Sequence, residues 1–322
     1  MNTSSRFDVA AFGELLIDLV PVRDAAGQAC FAPKPGGAPG NVAVGVARLG
    51  GRAAMLTKVG EEAFGKLLVA TLAGNGVATE GVVMSRDGNT SLAVVTVDAD
   101  GDRDFMFYRT GCADTTYAPE EVAADIVRAA RVLHIGSLVL AEPVSAAAQR
   151  HAVGLAQAAG VVVSADVNLR PSLWRDPDDM RRAALEAAGV ANVLKISEEE
   201  LAFLTGAADI PGGIDRLWHD GMRAMAVTKG PGGAELVTPS HRATVPGFSV
   251  KVVDTVGCGD AFMASLLADL TATGFDLSSV ATLERLARRA CATGALAATA
   301  AGGMESLPTQ ATREAFLAAH AG

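Results

Sequence analysis

The run Asp254-Thr255-Val256-Gly257-Cys258-Gly259-Asp260 places a carboxylate directly after three small residues and ahead of an apolar stretch, Ala261–Leu270. Small residues at 257–259 let the chain turn tightly and bring successive N–H groups close to a ligand. They also open a helix, whose unsatisfied N–H groups and dipole favour an anion. A carboxylate at that point would meet a transferring phosphate, and catalysis there is mostly positioning and charge stabilisation. Asp260 would stay ionised near neutrality, because an unperturbed aspartate titrates near ~3.9. The plain alternative is a glycine-rich turn in which Asp260 only caps the helix.

A second candidate is a decoy. Gly60-Glu61-Glu62-Ala63-Phe64-Gly65-Lys66 fits GxxxxGK, but Leu67 stands where a phosphate loop needs a hydroxyl for magnesium. The two glutamates would also repel phosphate.

The elements that must position these residues alternate between short β-branched runs and Ala-rich helical stretches. Strands are expected at Val9–Phe12, Ala53–Val59, Val132–Ile135, Val161–Asp166, Val193–Ile196, Ala224–Thr228 and Ala234–Val237, with helices at 40–49, 62–74, 144–159, 179–188 and 198–204. That pattern predicts βαβ units and an α/β fold with a mainly parallel sheet flanked by helices. Two segments, about 19–35 and 90–108, break it: each reads as extended strands joined by turn residues, Asp24-Ala25-Ala26-Gly27 and Asp98-Ala99-Asp100-Gly101. They are expected to form a small projecting β-sheet, either a lid or a subunit contact.

Composition bounds the rest. Half of the 322 residues are hydrophobic and the mean hydropathy is +0.29, ample for a buried core. Aromatics are only 5%, and the excess of Ala, Val, Leu and Gly suits helices packed closely on a sheet. A net charge of −9 argues against a nucleic-acid surface. The four cysteines form no CxxC pair and the five histidines show no zinc spacing. Nothing resembles a signal peptide or the roughly 20 apolar residues of a membrane span, so a cytoplasmic protein is expected.

The segment 254–260 resembles the DTxGAGD signature of the ribokinase-like carbohydrate kinases, the PfkB family. Near the N-terminus, Gly36-Gly37-Ala38-Pro39-Gly40-Asn41-Val42-Ala43, then Gly50 and Gly60, match that family's second signature. The resemblance runs from about Val9 to Pro308. It implies one ribokinase-like domain over residues 1–322, a Rossmann-like sheet with a β-sheet lid.

Carried over residue by residue, it implies Asp260 as catalytic base and the backbone of Gly257, Cys258 and Gly259 as an anion hole. Cys258 replaces the usual Ala or Ser, which leaves its backbone N–H unaffected. Val227-Thr228-Lys229-Gly230-Pro231-Gly232-Gly233 resembles the nucleotide loop, placing Thr228, Gly230 and Gly233 against ATP. Cys291 falls where relatives often carry an Asn close to adenine. Glu200, in Ser197-Glu198-Glu199-Glu200, matches the acid that orders Mg²⁺ through water, although Ser197 replaces Asn. Mg²⁺ keeps much of its hydration, so that departure is tolerable. Asp254, Gly302 and Ser306 align with a monovalent-cation (K⁺) site of some relatives.

For the sugar, the resemblance implies Asp18, Gly37 and Asn41. Asn41 offers a donor and an acceptor, though alone it reads as the N-cap of a helix over 42–49. Asp166-Val167-Asn168-Leu169-Arg170-Pro171-Ser172-Leu173-Trp174 ends a strand, where ligands gather in open α/β sheets. It resembles a segment of fructokinases and of 2-keto-3-deoxygluconate kinases, as does Phe107-Tyr108-Arg109 with Ala113-Asp114. Phe107, Arg109, Asn168 and Arg170 are thus expected at the pocket.

The expected activity is phosphorylation of fructose by ATP. Phosphorylation of 2-keto-3-deoxygluconate is the alternative, with both arginines clamping its carboxylate. From another class, a sugar-sensing protein without catalysis would not need Asp260 and its glycines. The expected assembly is a homodimer through the small sheet.

Overall fold

The computed structural model describes residues 5–97 and 103–320. In chain order its strands are β1 Phe7–Phe12, β2 Leu16–Arg23, β3 Ala29–Gly36, β4 Ala53–Gly60, β5 Val82–Ser85, β6 Leu92–Val97, β7 Arg103–Tyr108, β8 Ala130–Ile135, β9 Val162–Asp166, β10 Val193–Ser197, β11 Ala224–Thr228, β12 Ala234–Val237 and β13 Arg242–Val245. The helices are α1 Ala38–Arg48, α2 Ala63–Gly74, α3 Ala124–Ala129, α4 Pro143–Ala158, α5 Pro177–Gly189, α6 Glu198–Thr205, α7 Ile210–Leu217, α8 Cys258–Ala272, α9 Val280–Ala297 and α10 Gln310–Ala319.

The described strands form a nine-stranded sheet, β13-β12-β11-β10-β9-β8-β1-β4-β5, parallel except where β12 and β13 turn back at one edge. Side chains alternate across it with period two. From β1, Val9 and Ala11 enter the core beneath α1, α8 and α9, while Ala10 and Phe12 enter the opposite core with α4, α5 and α6. Both faces are covered, so the strands are mostly apolar on both sides, as is usual in parallel sheets. The small residues do the expected work. A methyl group added at Gly45 of α1 would lie 2.5 Å from Cβ of Ala264 in α8, so these two helices approach almost backbone to backbone.

The small sheet has the order β3-β2-β6-β7. Its strands begin earlier than expected at Leu16 and run to Gly36, because the chain passes from β1 into β2 with only three residues between them. In the first hairpin Oδ1 of Asp24 accepts the N–H of Ala26 and of Gln28, which fixes the expected turn. The second expected turn, Asp98–Gly101, lies outside the described residues.

The apparent phosphate loop at 60–66 is the entry to α2. There the Glu62 carboxylate accepts the N–H of Phe64 and Gly65 as a helix cap and also binds Thr90. Among the described residues no helix is long and apolar enough to cross a membrane.

Candidate active site

The turn that precedes α8 needs glycine at 257, where φ is +80°, because a side chain there would be strained. α8 then begins at Cys258, earlier than its apolar stretch suggested, so Asp260 lies within its first turn. The opening turn of a helix carries N–H groups without intrahelical partners and the positive end of the dipole. It is suited to an anion.

Asp260 is buried, and its Oδ2 accepts a 2.7 Å hydrogen bond from Nδ2 of Asn41. Asn41 is not an N-cap. α1 starts at Ala38, behind a glycine with φ of +105° at 37, and Oε1 of the buried Glu14 accepts the N–H of Ala38. Asn41 therefore sits inside the helix and projects across to α8. Burial, with the nearby Asp166 charge second, pushes Asp260 from the ordinary aspartate range up to about 6. Asn41, Lys195 and Arg170 oppose that rise. Shifted this far, Asp260 is still mostly ionised at pH 7, with roughly a tenth of it protonated, and its basicity matches general-base work better than that of an unperturbed aspartate.

A cleft of about 710 Å³ opens in front of Asp260, lined among others by Asp18, Gly37, Asn41, Phe107, Asn168 and Arg170. Asn168 holds φ of +42°, sparsely populated for a non-glycine residue. The next amide, of Leu169, donates to Oε1 of Glu200 and pins that bend. A second groove of about 430 Å³ is lined by Thr228, Gly230, Gly233, Cys258 and Cys291. Thr255 and Gly259 line both spaces. The two cavities therefore meet at the turn that opens α8.

One expectation changes. Arg109 does not line the cleft: its Nε and Nη2 both donate to Oδ2 of Asp114 in a buried ion pair, at 2.9 and 2.7 Å. Ser91 bonds the other oxygen of Asp114. Glu200 is first a structural residue, its oxygens accepting the N–H of Leu169 and of Ser197 in a capping box. Each still has lone pairs for water. Asp254 accepts the N–H of Val256 and of Gly302 and so ties the anion turn to the 302 loop. Ser306 turns its hydroxyl to the Gly303 carbonyl.

Sequence reasoning missed Glu14, Asp166 and Lys195. Asp166 ends β9 and Lys195 stands beside it in β10. Nζ of Lys195 lies 2.8 and 2.9 Å from the two Asp166 oxygens, in a buried pair. The signal was a lysine inside the apolar run Val193-Leu194-Lys195-Ile196, since buried lysines are almost always paired.

Comparison with known proteins agrees with this geometry. Residues 6–310 match the sequence profile described as "pfkB family carbohydrate kinase". The chain is 40% identical over 312 residues to Fructokinase-2 of Solanum habrochaites, covering 96% of this chain and 95% of that protein. A crystal structure of a fructokinase with bound ATP from Xylella fastidiosa superposes with a TM-score of 0.90 at 32% identity, covering 98% of this chain and 99% of that one. A fructokinase from Vibrio cholerae O395, in its fructose, ADP and calcium ion bound form, gives 0.84 at 34% identity, covering 96% and 98%.

Proposed function

The chain belongs to the pfkB family of carbohydrate kinases, and from that premise we propose that it transfers the γ-phosphate of ATP to fructose, giving fructose 6-phosphate and ADP. The observation that carries this reading is the shared wall at Thr255 and Gly259, where the polar cleft and the glycine-lined groove meet beside Asp260. In this reading the sugar occupies the cleft and ATP the groove; the two solved relatives hold ATP in one case and fructose with ADP in the other.

Asp260 accepts the proton of the sugar's 6-hydroxyl while that hydroxyl's oxygen bonds to the γ-phosphorus and the bond from the γ-phosphorus to the β-phosphate oxygen breaks. The N–H groups of Gly257–Asp260 hold the negative charge of the moving group in place. Asp18, Asn41 and Asn168 read sugar hydroxyls, and Phe107 covers the ring from the small sheet. When bound, Mg²⁺ neutralises phosphate charge, and Glu200 would hold it through water. Asp254, Gly302 and Ser306 would hold a monovalent cation behind the anion turn.

The reading of 2-keto-3-deoxygluconate as substrate loses its support, because Asp114 already occupies Arg109 and only Arg170 faces the cleft. Phosphorylation of fructose, ketodeoxygluconate, ribose and tagatose, followed by identification of the phosphorylated product, tests the proposal. Fructose should be the best substrate, and a preference for ketodeoxygluconate would overturn it.

The same reading makes the chain one kinase unit in the cytoplasm, and a homodimer through the small sheet. Exposed Val22, Phe31, Met106 and Tyr108 on that sheet support the dimer.

A further inference from the structure

Asp260 is faced by one amide and three charged groups, from four segments of the chain. Asn41 approaches from α1, Asp166 from the end of β9, Lys195 from β10, and Arg170 from the segment after β9. Behind the pair, buried His134 of β8 bonds Ser164 through Nδ1. Burial pushes His134 down to about 4, so it is neutral near pH 7. Glu200 faces Lys195 from α6.

Asp166 and Lys195 are directly opposed in the parallel register of β9 and β10, so their side chains leave the sheet on one face. Their side chains are 3% and 7% exposed. A methyl group at Gly259 would lie 3.0 Å from Nζ of Lys195. The ammonium therefore packs directly against the opening turn of α8, next to Asp260. Isolated buried pairs add little stability against apolar residues of the same size. This one stands under a turn suited to an anion and beside the one carboxylate that lines the cleft from that turn.

We propose that Lys195 and Asp166 are a positioning pair that sets the proton affinity of Asp260, Lys195 favouring its ionised form and Asp166 opposing it. The proposal rests on Asp260 being the base. A carboxylate that accepts hydrogen bonds from an ammonium raises a neighbouring acid less than a bare carboxylate would. Removing either partner should thus move Asp260 in its own direction. Loss of the lysine charge leaves two carboxylates competing for one proton, and the pair titrates as a coupled dyad with its upper step raised. Loss of the Asp166 charge leaves an uncompensated ammonium, which favours ionised Asp260.

The test uses Lys195→Gln and Asp166→Asn, which remove charge but retain a hydrogen bond between the strands. Turnover at saturating fructose and ATP is followed between pH 5 and 9 for wild type, both variants and Asp260→Asn. The acid limb should move up in Lys195→Gln, so that turnover at low pH falls several-fold more than at pH 8.5. It should move down in Asp166→Asn, where the ratio of low-pH to high-pH turnover exceeds that of wild type. A shift of one pH unit changes these ratios by up to about tenfold. Melting curves report folding; should one variant fail to fold, the other decides alone, because each has its own direction. An acid limb unmoved in a folded variant, with turnover scaled equally at all pH values, assigns the pair a structural role and overturns the proposal. Turnover that survives in Asp260→Asn instead overturns the assignment of the base, and the proposal with it.

Discussion

Nδ2 of Asn41 lies 2.7 Å from Oδ2 of Asp260, although the two residues are 219 positions apart in sequence. The bond crosses the α1–α8 contact, where small side chains let the helices close up. It joins the N-terminal glycine signature to the C-terminal one. A hydrogen bond to the ionised form of a buried acid favours that form. Asn41→Ala should therefore raise the pH at which turnover falls on the acid side, and lose more activity at pH 6 than at pH 8.5. Parallel profiles for variant and wild type would show that the amide only fills space.

Asp260→Asn keeps the shape of the site and can still face Asn41, but it takes no proton from the sugar. General-base contributions are typically worth ~10²–10⁴-fold. Turnover should fall by that factor, while isothermal titration finds ATP and fructose still bound. In wild type the acid limb should be centred near the value of about 6 at which Asp260 takes up its proton. Activity is thus present above that pH and lost as pH falls through it.

Glu14 gives the opposite pH signature, in stability. It is buried between β1 and β2, its Oε2 has no hydrogen-bond partner among the described residues, and burial pushes it up to about 7. Its pKa in the folded chain exceeds the unfolded value, so the folded state holds the extra proton. Stability is fullest below the unfolded pKa and declines as pH rises through about 7. Glu14→Gln keeps an oxygen for the Ala38 amide and removes the buried charge. The variant should match wild type near pH 5 and be more stable at pH 8.5, by on the order of 1–3 kcal/mol. Equal urea midpoints at both pH values would contradict this.

Local pattern revealed most of the fold and the two ends of the site. The apolar runs of β1, β4 and β8–β11 announce buried parallel strands, and the 254–260 run announces both a helix start and an anion. Contacts between distant segments were not legible. Nothing local in Phe107-Tyr108-Arg109 distinguishes an arginine that reaches a ligand from one that turns inward to Asp114. Nothing near Asn41 shows that Glu14 supplies the missing cap of α1 from the connection between β1 and β2, and so lets Asn41 sit inside the helix. The basicity of Asp260 is likewise a property of its burial, which no neighbouring residue in sequence discloses.

The small sheet exposes Phe31 at 54%, Met106 at 53% and Tyr108 at 57%. Large side chains clustered on one small sheet mark a contact surface. Light scattering at micromolar concentration should report a dimer, and Phe31→Glu with Tyr108→Glu should shift it toward monomer. A monomeric wild-type chain would exclude this interface.

The two arginines expected at the sugar should part company. Arg109 is 4% exposed in its side chain and bound to Asp114, 2% exposed. Arg109→Ala leaves a carboxylate buried without its cation, and breaking such pairs typically costs ~3–5 kcal/mol. Its main effect should be a lower melting temperature. Arg170 lines the cleft, donates to the Leu169 carbonyl and lies 5.8 Å from the Phe105 ring centroid. Its guanidinium can bond hydroxyls of a neutral sugar, at ~0.5–1.5 kcal/mol for the lost contacts. Arg170→Ala should raise KM for fructose by roughly threefold to tenfold with little change in melting temperature. If both variants melt like wild type and both lose substrate affinity by a hundredfold, the two arginines act together on an anionic substrate. The ion pair with Asp114 would then have to open on binding, and fructose would be the wrong sugar.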